Sequence, residues 1–184
     1  MNHVQEAIRF VNESFDGKNI KHFEQTLYWF EKLLNRPLSD AEAIAAYSHD
    51  IERAFRGTSK SNIQKVENYT DPQFLTYHQN RGAEIMVEFL RSNRFEDIET
   101  VVHLICRHEE GGDVTQNALM NADSVSFFET NAKRFVTEKV KVEGYKPIRE
   151  KLDWMFNRIV GENAKELAEP LYRKWIGILD KGNT

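Results

Sequence analysis

Apolar residues recur at three- and four-residue intervals along most of the chain, a period that only helices packed on one another can bury. Val4, Ile8, Val11 and Phe15 form the first stripe, closed by Asp16-Gly17. A second runs from Ile20 to Leu34 through Phe23, Leu27 and Phe30, and Asn35-Arg36-Pro37 stops it. Gly and Pro number only 9 and 4 among 184 residues, too few for the turn density of an all-β fold. The length fits one domain.

Start and stop signals divide the remainder. Ser39-Asp40-Ala41-Glu42 reads as a capping box, with Glu42 three positions after the N-cap serine. It opens a helix through Phe55, closed by Gly57, whose small residues Ala43, Ala45 and Ala46 suit a central, closely packed position. A polar connection fills 57–71, with a short turn near 63–66. Asp71-Pro72 then starts a helix to Arg91. Another is expected from Glu96 to Glu109, ending at Gly111-Gly112-Asp113, and a long one from Thr115 to Lys139. Beyond Gly144 and Pro147, helices are expected over Ile148–Ile159 and Asn163–Leu179. The reading is one all-α domain over 1–184, a helical bundle of seven or eight helices. Its C-terminal helices, within 146–180, pack on the core or on a second copy of the chain as a homodimer.

The formal charge of −4, without a basic stripe, argues against a nucleic-acid polymer as the main partner. No apolar run approaches the ~20 residues of a membrane span, and Met1-Asn2-His3-Val4-Gln5-Glu6 lacks the pattern of a signal peptide. Cys106 is the sole cysteine, which excludes an internal disulfide. A cytoplasmic protein with a small-molecule partner is the expectation.

Chemistry concentrates on the histidines, His3, His22, His49, His78, His103 and His108. Adjacent helical residues point about 100° apart, so His49 and Asp50 meet one ion only when it lies between them, with further ligands from other helices. His22 and Asp123 are candidates for those ligands. Burying His49-Asp50 without an ion or a partner costs several kcal/mol.

The order His22, then Ala46-Tyr47-Ser48-His49-Asp50-Ile51, then Asn121-Ala122-Asp123-Ser124-Val125 resembles the HD-domain superfamily of metal-dependent phosphohydrolases, over about residues 20–130. Asn121 stands where the family has an acid. Tyr77-His78-Gln79-Asn80-Arg81-Gly82 and Ile105-Cys106-Arg107-His108-Glu109 resemble the segments that supply two more histidines in its two-metal branches. The resemblance implies one or two divalent ions (Mn, Fe, Co, Ni, Zn or Mg) on His22, His49, Asp50, Asp123, His78 and His108. His103 competes with His108; five residues apart, they point about 140° from each other on a helix. His108, at the helix end, is favoured.

On this reading the substrate is a small phosphate ester such as a nucleotide, hydrolysed with Asp50 bridging two ions. Arg53 contacts the phosphate; Arg56, Lys60, Arg81 and Lys133 are weaker candidates. Glu52 or Glu109 shuttles the proton, and the loops at 57–71 and 110–115 shape the pocket. The alternatives are a di-iron oxygenase, which some members of the superfamily have become, and a non-catalytic nucleotide-binding module.

Overall fold

The computed structural model describes residues 2–56 and 70–182. Lys60, Gly57 and the expected turn near 63–66 lie outside the described residues. All regular structure among the described residues is helical: α1 His3–Ser14, α2 Ile20–Leu34, α3 Asp40–Ser48, α4 Glu52–Phe55, α5 Pro72–Ser92, α6 Ile98–Ile105, α7 Val114–Ser126, α8 Ala132–Arg134, α9 Val140–Glu143, α10 Tyr145–Asn157 and α11 Glu162–Lys181. α7, α8 and α9 form one continuous rod, joined by π-helical turns at Phe127–Asn131 and Phe135–Lys139. None of the described helices is long and apolar enough to cross a membrane.

The local signals act as their chemistry requires. The capping box at Ser39 and Glu42 is formed in both directions, and the Asp71 carboxylate caps Phe74 N at 2.8 Å with Pro72 in the first turn. α3 sits centrally against α1, α2 and α6. Its alanines let the neighbours approach, and Ala41, Ala45 and Ala46 are buried.

Three expected helices differ in outline. The one from Ser39 to Phe55 breaks at His49-Asp50-Ile51, where Ile51 N bonds Ser48 O and Arg53 N bonds Asp50 O, a tighter three-residue repeat. The one expected to reach Glu109 stops at Ile105, and 106–110 form a turn. Pro147 does not delay α10, because a proline in the first turn needs no N–H partner.

A larger core gathers α1–α3, α5, α6 and the start of α7 around Phe23, Phe30, Ile44, Met86 and Leu104. A second unites the rod with α10 and α11 around Phe128, Ile148, Leu152 and Trp175. Trp29 and Leu33 of α2 pack against both, so the C-terminal pair is seated on its own chain. Trp175 Nε1 donates to Phe128 O at 2.7 Å.

Candidate metal centre

Four histidines and four carboxylates meet where α2, the α3–α4 break, α5, the turn after α6, and α7 converge. His49, His78 and His108 are fully buried, and His22, Asp50, Glu52, Glu109 and Asp123 are at most 4% exposed. Burying so many ionisable groups is unfavourable unless each is paired or bound to an ion.

The imidazoles share one orientation. His49 Nδ1 donates to Ala46 O at 2.8 Å and His108 Nδ1 to Ile105 O at 2.7 Å. His78 Nδ1 donates to Glu52 Oε2 at 2.8 Å. At His22, Nδ1 lies 2.8 Å from Ser126 Oγ, and that hydroxyl already gives its proton to His22 O, so Nδ1 is the donor there too. Every ring therefore has its Nδ1–H engaged at the periphery and turns Nε2 inward, the arrangement of a metal-binding histidine. His49 Nε2 and His108 Nε2 are buried without a hydrogen-bond partner.

The carboxylates face these nitrogens in two sets. His22 Nε2 lies 3.2 Å and His49 Nε2 3.5 Å from Asp123 Oδ1, and the two are 3.9 and 3.8 Å from Asp50 Oδ2. His78 Nε2 lies 3.1 Å and His108 Nε2 3.9 Å from Asp50 Oδ1, and both are 3.8 Å from Glu109 Oε1. Each set thus offers two nitrogens and two oxygens, and Asp50 serves both through different oxygens. His78, His108, Asp50 and Glu109 lie at spacings that could hold a metal ion, as do His22, His49 and Asp50, with Asp123 Oδ1 beside the two imidazoles of the second group; nitrogen–oxygen sets of this kind suit borderline divalent ions.

Electrostatics keeps the acids ionised. Burial alone would raise the Asp50 carboxyl, but Arg53 and the adjacent histidines hold it well below the usual carboxylate range. Asp123 is held low against burial by Arg158, His22 and His49. Glu109 falls to about 2, where Arg158, His108 and Lys151 outweigh desolvation. Burial pushes His108 down to about 4, keeping it neutral. His49 runs the other way: burial opposes protonation, yet Asp50 and Asp123 lift it to about 9, a proton that a metal ion would have to displace.

The expected site residues divide clearly. His22, His49, Asp50, His78, His108 and Asp123 are brought together. His103 is on the surface, its side chain 53% exposed and its Nε2 2.6 Å from Asp113 Oδ2. Arg53 stands at the rim, 35% exposed, with Nε 2.9 Å from Asp50 Oδ1. Glu52 is behind His78, held also by Arg56. Arg81 pairs with Glu84 at the surface, and Lys133 is exposed on the rod. Asn121 faces away from the cluster: its amide donates to Val160 O at 2.8 Å and accepts from Val160 N at 3.0 Å.

Sequence reasoning missed Glu109 as a ligand candidate, together with Ser126, Lys151 and Arg158. A signal for Glu109 exists. His108-Glu109 repeats the His49-Asp50 pattern, a histidine at or just beyond the end of a helix, bonded to the carbonyl three residues back and followed by an acid. Gly111 helps to hold that turn: its φ is +71°, and a Cβ would come within 2.2 Å of Asn117 Oδ1. Glu109 N is fixed by Gln79 Oε1 at 2.9 Å. Comparison of the chain with family models, curated proteins and solved structures returned no match.

Proposed function

We propose that the protein is a metal-dependent phosphohydrolase of HD-domain type, acting on a small phosphate ester with two divalent ions. The observation that carries this reading is the common orientation of the four histidines, with two Nε2 atoms left unpartnered in a buried carboxylate cluster. His22, His49, Asp50 and Asp123 would hold one ion; His78, His108, Asp50 and Glu109 would hold the other. When bound, such ions polarise phosphoryl oxygens and acidify water.

The chain's own residues do the rest. In the hydrolysis, a water oxygen bonds to phosphorus, the ester P–O bond breaks, and the alcohol leaves with one of the water's protons. Arg53, the exposed charge beside Asp50 and 3.6 Å from Glu109 Oε1 through Nη2, receives the phosphate at the open side. Buried Lys151, within the field of Glu109 and Asp123, adds positive charge behind it. Glu52, committed to His78 and Arg56, positions the ring instead of shuttling a proton.

Elemental analysis of protein purified without added metal comes first, followed by a phosphatase and nucleotidase panel with manganese, cobalt and iron. Asp50→Ala is expected to abolish both metal binding and turnover, and retained turnover would sink the assignment. The two matched ligand sets sharing one carboxylate also suit a di-iron oxygenase. Oxygen uptake by iron-loaded protein, with a silent ester panel, would favour that reading.

A further inference from the structure

The terminal carboxylates of the two ligand sets come from different parts of the chain, and a single side chain holds both. Arg158 caps the C-terminus of α10 and is almost completely buried. Its Nη2 pairs with Asp123 Oδ2 and its Nη1 with Glu109 Oε2. Nε donates to Ser124 Oγ at 2.8 Å, and the guanidinium lies over the Trp154 ring at 4.5 Å. In each carboxylate the oxygen that Arg158 takes is the one turned away from the histidines. Asp123 Oδ1 and Glu109 Oε1 are left facing His22 and His49, and His78 and His108, respectively.

We propose that Arg158 is a positioning residue of the metal centre, a planar fork that fixes the spacing and rotation of Asp123 and Glu109 so that both ligand sets are preformed together. The inference rests on the metal-centre reading above and adds to it a residue from beyond the segments that carry the family resemblance. Its physical basis is the rigidity of the guanidinium. Two parallel N–H groups define the orientation of two acceptors, which the point charge of a lysine cannot do. Each carboxylate, rotated by the loss of that fork, would present its oxygens to the histidines at random. Removal of a residue that orients a ligand typically weakens metal binding 10- to 100-fold. Because one fork serves both sets, the loss should fall on both ions.

The test is titration of metal-free protein with cobalt(II), followed by visible absorption, for wild type, Arg158→Lys and Asn121→Ala. Arg158→Lys keeps the charge and removes the fork, and both dissociation constants are expected to rise about 10- to 100-fold in step. Asn121→Ala loosens the same α10–α11 junction without touching the fork. It is expected to lower the melting temperature and leave both constants unchanged, which separates positioning from mere structural support. Should Arg158→Lys not hold the helical fold by circular dichroism, Ser124→Ala replaces it. That variant frees the Nε end of the guanidinium, and a smaller common rise in both constants is expected. Wild-type uptake of two ions, with constants unchanged in the folded variant, overturns the proposal alone. No uptake by the wild type overturns the metal reading and this proposal with it.

Discussion

A histidine becomes a good ligand when something else holds its far nitrogen, and here four different acceptors do so: two main-chain carbonyls, a carboxylate and a serine hydroxyl. The carboxylate anchor makes the clearest prediction. Glu52→Gln keeps size but removes the charge that pins His78 Nδ1, so affinity for the ion on His78 and His108 should fall about 10- to 100-fold. The ion on His22 and His49 should be retained; equal loss of both in a metal titration would refute this role. The residues that announced themselves in sequence did so by adjacency and order: His49-Asp50 as a pair, with His22 and Asp123 flanking it on separate helices. Glu109 and Arg158 lack such a signal toward each other, because they are 49 positions apart and meet only through tertiary packing. Asn121, two residues before Asp123, has a structural reason to be an amide. An amide can donate to and accept from the Val160 backbone at once, and an ionised carboxylate can only accept.

Helix positions were legible because their caps are local chemistry. Glu42 accepts Ser39 N at 2.8 Å and also pairs with Arg36, which ties the α2–α3 connection to the first turn of α3. Its carboxyl is held below the usual range, led by the Arg36 bond and opposed by burial. A depressed carboxyl contributes stability that is present above its unfolded value of ~4.3 and is lost as pH falls through the folded one. Glu42→Ala should therefore cost about 1–2 kcal/mol in urea unfolding at pH 7. The gap between variant and wild type should narrow as pH falls below the ordinary carboxylate range, and a pH-independent gap would contradict the assignment. The breaks inside helices were not legible. In both π-helical turns a threonine hydroxyl bonds the carbonyl four residues back, Thr130 to Ser126 O and Thr137 to Lys133 O. That competition with the helix ladder loosens the turn, yet an isolated threonine in a long apolar repeat does not reveal it. The break at 49–51 was equally hidden, although it lets neighbouring His49 and Asp50 face one space.

Across the whole molecule, the centre lies between the two cores, and α2 and α7, which pack along each other, carry His22 and Asp123. The carboxylates Asp50, Glu52, Glu109 and Asp123 are matched by Arg53, Arg56, Lys151 and Arg158, so the metal-free fold is already close to electrically balanced. Metal should then stabilise the fold by binding linkage instead of being required for folding. At a free concentration of 100 Kd the gain is ~2.7 kcal/mol for each ion bound, or about 5–11 °C in Tm per ion for a chain of this size. Differential scanning calorimetry with and without chelator measures it. Coincident transitions would count against metal binding, and an unfolded chelated protein would show that the balance is too weak.

The position of Arg158 also sets an order of events during synthesis. It follows Asp123 by 35 residues, which at ribosomal rates of 5–20 residues per second is a delay of about 2–7 s. During that interval the nascent chain carries both carboxylates before the guanidinium that will clamp them has been translated. The paired geometry of Asp123 and Glu109 is therefore a property of the chain translated through residue 158, and no shorter nascent segment contains it.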